Sequence, residues 1–381
     1  MSVVRVAIVG CGKIADQHVQ AVRRVAGSTV VAVCDREILM ARQLAERFGI
    51  ESCHDDLREM LRAVRPDVVH VTTPPQSHHA LALSCLDAGS HVYLEKPFTV
   101  TAAEAEDVVA AAKRHGLLVT AGHNYLVSFE MLRLRRLLEA DVLAGPPRHI
   151  ESYWSYDLGD TSYVGPLLGD ANHWVRRLPG GLLHNIISHG IARIAEFLDD
   201  EVTDVIARAH QSERLRRMGG QDVLDELRVM LRDRNGTTAN FCFSTQIKPG
   251  LNQLRLYGPG NSVVVDLTSG SVIVHQGRSF KSYLTYLAPP LLTAREHLRN
   301  GWHNLVGIAR QRIYQDAGMT ELVRRCHAAV VSGGPPPIPY REVLLTARIM
   351  DVVFAQMRDT GPALAAVTSK GVSARAAVEL A

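Results

Sequence analysis

Gly10-Cys11-Gly12-Lys13-Ile14-Ala15 has the G-x-G-x-x-G/A form and directly follows an apolar run, Val4 to Val9. A turn of this kind holds phosphate. Gly10 permits the tight bend, Gly12 lets the backbone approach a pyrophosphate, and Ala15 allows the next helix to pack closely on its strand. The start of that helix, at Lys13 and Ile14, offers unpaired N–H donors to phosphate oxygens. Glycine turns recur in many proteins, so context carries the reading. A second apolar run, Thr29 to Cys34, ends in Asp35, an acid roughly 20 residues on, as a dinucleotide fingerprint requires. Asp35 is suited to accept hydrogen bonds from the adenosine ribose hydroxyls, and its charge repels a 2′-phosphate. Arg36 can stack on adenine or grip that phosphate, and the balance favours NAD over NADP.

A second group of chemically capable residues lies in mid-chain. Trp154, Tyr156, Asp157, Tyr163, Asn172, His173, Trp174 and Arg177 mix aromatic and hydrogen-bonding side chains. Sugar pockets need that mix, because ring C–H faces pack on aromatics while hydroxyls need polar partners. The same aromatics can equally anchor a core.

Positioning these groups requires two kinds of architecture. Short apolar strands at 4–9, 29–34, 68–71, 91–94 and 117–121 alternate with helical stretches near 14–25, 38–48, 78–88 and 102–115. That alternation predicts βαβ crossovers and a doubly wound parallel sheet, an α/β domain over residues 1–122. Beyond it the texture changes. Residues 128–140 read as a helix and 148–156 as a strand, and 203–275 are strand-rich, with Asn235-Gly236 suited to a tight hairpin. Residues 123–381 are expected to form an α+β domain on a mostly antiparallel open sheet, with a closing helix at 341–358 that can pack back on the first domain.

At residues 73–97 the sequence becomes more specific. Thr73-Pro74-Pro75-Gln76-Ser77-His78, followed by Ala88-Gly89-Ser90-His91-Val92-Tyr93-Leu94-Glu95-Lys96-Pro97, closely resembles the glucose–fructose oxidoreductase / inositol dehydrogenase (Gfo/Idh/MocA) family. The resemblance implies that Thr73, Pro74 and His78 line the nicotinamide-ribose side and that Glu95 and Asn124 contact the cofactor. It implies that Lys96 sits beside the reacting carbon, where an ammonium can polarise a ketone or pass a proton. Gly180-Gly181-Leu182-Leu183-His184-Asn185-Ile186-Ile187-Ser188-His189 matches the family's second catalytic element in both glycines and the final histidine, but has Asn185 where relatives carry Asp. The i, i+4 spacing puts Asn185 and His189 on one helix face. His189 is the expected general acid/base, since imidazole titrates near neutrality. Asn185 can hydrogen-bond a substrate hydroxyl but cannot hold a charge against an imidazolium. Tyr125, Trp154, Trp174 and His184 complete the expected substrate contacts. The activity implied is hydride transfer at a carbinol/ketone carbon of a sugar, nucleotide sugar or cyclitol. The alternatives are an NAD-dependent glycosidase that oxidises its sugar transiently, or a non-catalytic dinucleotide-binding regulator.

Composition excludes other classes. A net charge of +3 over 381 residues is too small for a nucleic-acid footprint. Six scattered cysteines contain no CxxC pair, so neither a metal site nor a disulfide framework is expected. Met1 to Val9 runs straight into a strand pattern without the parts of a secretory signal, and no apolar run approaches the roughly 20 residues needed to cross a bilayer. The expectation is a cytoplasmic protein.

One late segment finds no simple place. Ala294, Leu298, Trp302, Leu305, Ala309 and Ile313 form an apolar stripe over residues 291–313, with Arg295, Arg299, Arg310 and Arg312 on the other side. Such a stripe must be covered. The second domain itself is the plainest cover. A second subunit in a homo-oligomer comes next, and peripheral contact with a membrane surface last.

Overall fold

Strands that are apolar throughout can be buried on both faces, which is what a parallel sheet with helices on either side demands. Val4, Val6, Ala7, Ile8 and Val9 are all buried, as are Val68, Val69 and Val71. In the computed structural model, which describes residues 3–157, 167, 169–170, 172–219 and 223–358, these runs form one sheet. Tyr163 lies outside the described residues.

The elements run β1 (Val4–Val9), α1 (Ala15–Arg23), β2 (Ser28–Cys34), α2 (Ile38–Phe48), β3 (Ser52–His54), α3 (Leu57–Val64), β4 (Val68–Val71), α4 (His78–Asp87), β5 (His91–Leu94), α5 (Ala102–His115) and β6 (Val119–Ala121). All neighbours are parallel in the order β3-β2-β1-β4-β5-β6. The chain reverses its winding between β1 and β4, so a crevice opens at the carboxyl ends of those strands. Gly10, Thr73, Lys96 and Gly122 all lie just past such ends. The β3–α3 pair was not foreseen. Three residues are too few to show a period, and α3 is set mainly by its cap, the Asp56 carboxylate accepting from Glu59 N–H at 2.7 Å.

The second half contains α6 (Phe129–Glu139), β7 (His149–Ser155), α7 (Gly181–Ala195), β8 (Val202–His210), α8 (Glu213–Arg217), β9 (Glu226–Asp233), β10 (Thr238–Ser244), β11 (Asn252–Tyr257), β12 (Asn261–Asp266), β13 (Ser271–Gln276), α9 (Leu284–Ala309), α10 (Ala317–Ser332) and α11 (Tyr340–Arg358). Seven strands form a sheet ordered β13-β12-β11-β7-β10-β9-β8, antiparallel except for the β7–β10 pair. The expected hairpin joins β9 to β10, with Gly236 at φ +83°.

Helix α7 packs on the inner face of this sheet. A Cβ on Gly190 would stand 2.2 Å from the Phe241 ring, and one on Gly180 would stand 2.3 Å from Phe354 of α11. These glycines let α7 approach its neighbours closely enough to be buried almost throughout. Helix α10 was not foreseen either. Its Met319, Leu322, Val323 and Cys326 join the first core, while Leu345, Ile349, Val353 and Phe354 of α11 join the second. The α11 side chains also hold the first half directly: Tyr340 Oη accepts from Val119 N–H at 3.2 Å, and Asp351 accepts from Ala102 N–H at 2.9 Å.

Helix α9 begins seven residues earlier than expected and runs through Pro289-Pro290. Among the described residues, its own domain leaves its apolar stripe exposed. Leu298 is 78% exposed, Trp302 65% and Leu305 58%. Instead α9 docks on β13 through Asn300, which is buried and bonds both the N–H and the carbonyl of Val272.

Candidate active site

The glycine turn is built to receive a ligand rather than a side chain. A Cβ at Gly10 (φ +94°) would stand 2.6 Å from Thr73 Cγ2, so only glycine fits there. Around Gly12, by contrast, a Cβ would meet no atom within 4 Å, leaving open space beside the start of α1. Helix α1 has no side-chain cap, so its first N–H groups are not satisfied that way. Asp35 is ordered in advance: one carboxylate oxygen accepts from Cys11 N–H at 2.7 Å and the other from Glu37 N–H at 2.9 Å. Arg36 and Lys13 are exposed at the rim, and Ile14 is half-buried. Burial and the nearby Asp35 charge push the Cys11 thiol up to about 12, which makes it an inert wall.

Thr73 and Pro74 form the opposite rim. His78 does not join them at the surface. It is fully buried, with Nε2 2.8 Å from the Thr73 carbonyl and Nδ1 3.0 Å from the Pro97 carbonyl and 3.2 Å from that of Phe98. The expectation of a ligand contact is therefore corrected. His78 clamps the Thr73 turn to the Lys96–Pro97 turn, whose peptide is cis, and so positions both.

Glu95 is buried behind Lys96. Its Oε1 lies 3.1 Å from His18 Nε2, and Oε2 accepts from Lys96 N–H at 3.1 Å. Burial works to raise its pKa, but the His18 bond and charge and the Lys96 charge outweigh that and hold it below the ordinary carboxylate value. His18 Nδ1 in turn meets His70 Nδ1 at 3.0 Å, and the His70 ring stacks on Tyr93 at 4.7 Å. Burial keeps His70 neutral, its pKa well below the usual range. Glu95 thus stands behind Lys96 on a wholly buried support. Gly122 keeps room for it, since a Cβ there would lie 2.7 Å from Glu95 Oε1.

Lys96 Nζ crosses to the second half and donates to the Asn185 backbone carbonyl at 3.3 Å. Burial lowers its pKa, opposed by Glu95. On α7, residues 185, 189 and 193 succeed one another every fourth position and share a face. The His189 ring stacks on Trp154 (5.4 Å, 13°) and meets Tyr125 edge-on at 4.8 Å and His123 at 5.6 Å. Its Nδ1 is buried without a hydrogen-bond partner among the described residues. Burial, then the charges of Lys96, His123 and Arg193, hold His189 well below its ordinary range, so the ring is neutral at pH 7. Asn185 supplies no anion to oppose this. Asn124, half-buried, keeps an unpartnered amide oxygen beside the cluster's Tyr125.

Two expected substrate contacts lie elsewhere. His184 is buried in the second core, stacked on Phe354 at 4.5 Å, because one residue along a helix turns a side chain by about 100° away from the Asn185 face. Trp174 tilts against His173, and its carbonyl accepts from Gln76 Nε2 at 2.8 Å, so it sits by the Thr73–Ser77 turn rather than in the His189 cluster. Two members of the cluster were missed. Arg193 is fully buried, its guanidinium 5.0 Å from the Trp154 ring and bonded to Asn252 Oδ1 at 2.8 Å. Continuing the four-residue spacing of Asn185 and His189 would have found it. His123 is buried with both ring nitrogens unpartnered among the described residues, and burial pulls it down to about 4. Only its place beside Asn124 hinted at it.

The arrangement defines a class: a dinucleotide-type crevice whose lysine-bearing turn meets a histidine on a second, sheet-based domain. Residues 4–123 match the oxidoreductase family with an NAD-binding Rossmann fold, and residues 131–264 match the GFO/IDH/MocA C-terminal domain. The chain belongs to the GFO/IDH/MocA oxidoreductase family. It is 36% identical to D-glucoside 3-dehydrogenase of Escherichia coli over 143 residues, which is 37% of this chain and 41% of that protein. It is 25% identical to D-apiose dehydrogenase of Paraburkholderia graminis over 361 residues, 93% of this chain and 87% of the relative. Its fold superposes on the WlbA dehydrogenase of Bordetella pertussis, solved with NADH and UDP-GlcNAcA, with a TM-score of 0.74 at 16% identity, covering 94% of this chain and 97% of that one.

Proposed function

We propose that the chain is an NAD(H)-dependent oxidoreductase that transfers a hydride between nicotinamide and a carbinol or ketone carbon of a sugar, nucleotide sugar or cyclitol. The observation that carries this is the meeting of Lys96 Nζ with α7 at Asn185, beside neutral His189 and the Trp154 and Tyr125 rings. Sugar-directed relatives such as D-glucoside 3-dehydrogenase and D-apiose dehydrogenase support the substrate class.

The open space at Gly12, the uncapped α1 and the pre-ordered Asp35 fit a dinucleotide, held by Gly10, Gly12, Lys13 and Ile14 at its phosphates and by Asp35 and Arg36 at its adenosine end. Bound there, NAD supplies the hydride acceptor. The protein's own task is the proton. Lys96, its pKa lowered by burial, takes the carbinol proton or returns it to the alkoxide, and as an ammonium it polarises a ketone oxygen. His189, neutral and with a free ring nitrogen, orients the same hydroxyl and serves as the second acid/base. Asn185 hydrogen-bonds a neighbouring hydroxyl, and Trp154 and Tyr125 pack the sugar ring. The half-exposed Ile206 and Met230 on the outer face of the second sheet support pairing of two copies there.

Asp35 predicts tighter binding of NAD than of NADP, by about tenfold or more, since a 2′-phosphate must approach a fixed carboxylate. Calorimetric titration with both cofactors checks this. Tighter NADP binding would instead make Arg36 the determinant.

A further inference from the structure

Helix α9 is mounted the wrong way round for a soluble surface. Its inner line is polar: Asn300 is buried on Val272 and accepts a 2.7 Å bond from Arg133, while Asn304 reaches the Ser269 carbonyl at 3.1 Å. Its outer line is apolar: Leu284, Leu287, Leu291, Ala294, Leu298, Trp302 and Leu305 recur at three- and four-residue steps, and each is exposed. At about 1.5 Å per residue the helix presents this stripe over about 30 Å. An exposed apolar patch of that length marks a surface that docks against something.

Charge tells what. Residues 278–312 carry six cations (Arg278, Lys281, Arg295, Arg299, Arg310, Arg312) against one carboxylate, Glu296, a net of +5 in a chain whose total is +3. Beside the helix, between it, α6 and β13, runs a groove of about 510 Å³ lined by Arg133, Arg136, Arg299, Arg310 and Arg312 against Glu296, with Trp302 and Phe129 in its walls. A second copy of this helix would bring +5 against +5 across the seam, which opposes pairing. An anionic bilayer surface satisfies both halves at once. Leucines and the indole enter the acyl boundary while guanidinium groups take lipid phosphates. Among the described residues no helix is long and apolar enough to cross a membrane, so the contact is one of lying on the surface. The groove also leads to the site. Phe129 and Arg312 line both it and a neighbouring cavity of about 230 Å³ that Asn124 and Tyr125 share.

We propose that α9 and its arginine groove seat this protein on an anionic phospholipid surface, with the Tyr125 side of the active site facing the bilayer. Flotation of the full chain with phosphatidylcholine vesicles, with and without phosphatidylglycerol, tests it. Binding should be at least tenfold stronger to the anionic vesicles and should weaken at high salt. Trp302 fluorescence should shift to the blue on binding and be quenched by brominated lipid. A Leu298→Glu/Leu305→Glu variant should keep its circular dichroism and lose vesicle binding, and Arg310→Glu/Arg312→Glu should lose the preference for anionic lipid. Failure of the wild type to bind anionic vesicles overturns the proposal, as does binding that the leucine variant leaves intact. A solution oligomer that the leucine variant splits also overturns it, because the stripe is then a subunit interface.

Discussion

Helices α7 and α9 break the same rule in opposite ways. A helix on a folded domain normally turns its apolar side inward and its polar side to water. Helix α7 is buried nearly throughout, yet takes His184, Asn185, Ser188, His189 and Arg193 inside with it. Helix α9 turns asparagines inward and leucines out. Burying polar groups costs free energy unless each finds a partner, and exposing leucines forgoes what their burial would contribute. A fold retains such departures where they serve something other than folding. In α7 the departure places an imidazole near Lys96 and a guanidinium against Trp154. In α9 it leaves an apolar, basic surface outside.

The largest effect that sharpens this contrast is on catalysis. Lys96→Ala should lower kcat about 100-fold or more with cofactor binding nearly kept, and His189→Ala should act similarly, as removal of proton-transfer groups does. Steady-state rates with calorimetric NAD binding check both, and an unchanged kcat in either variant removes that residue from the chemistry. Asn185→Asp should be tolerated. It introduces an anion beside a ring now held neutral, which favours the imidazolium and raises the His189 pKa, so the acid limb of the kcat–pH profile should move to higher pH. A limb that stays in place contradicts the role given to His189.

Smaller effects separate the two faces of α9. Asn300→Leu follows the ordinary apolar-in rule yet should destabilise the fold by about 2–3 kcal/mol, because the Val272 N–H and carbonyl and the Arg133 guanidinium lose their partner. Leu298→Glu, on a side chain 78% exposed, should change stability by no more than about 0.5 kcal/mol. Urea unfolding of the two variants measures both. Equal destabilisation would mean that the stripe is packed after all.

Legibility in the sequence followed the range of the interaction. The glycine turn and Asp35 could be read because the phosphate-binding turn is local, and β1, β2, β4 and β5 because burial leaves each a largely apolar run. The EKP turn and the α7 histidine were legible through their motifs. What escaped reading depends on distant partners. Helix α10 is stabilised by the first core, far back in sequence. His78 and His184 share residue type with His189, but only the packing shows His78 bound to backbone carbonyls and His184 stacked in the second core. The His18–His70 support of Glu95 joins residues 52 and 77 positions apart, with no local pattern to announce it. The alternation of α9 showed its stripe, but not which side faces out.

The most direct measurement is the stoichiometry of reduced nicotinamide formed across a panel of free sugars, inositols, sugar acids and nucleotide sugars, for the wild type and for Lys96→Ala. Hydride transfer beside Lys96 predicts one reduced cofactor per substrate oxidised by the wild type, and loss of that turnover in a Lys96→Ala protein that still binds NAD. Substrate consumed by hydrolysis with no net reduced cofactor, or Lys96→Ala turning over at the wild-type rate, would contradict it.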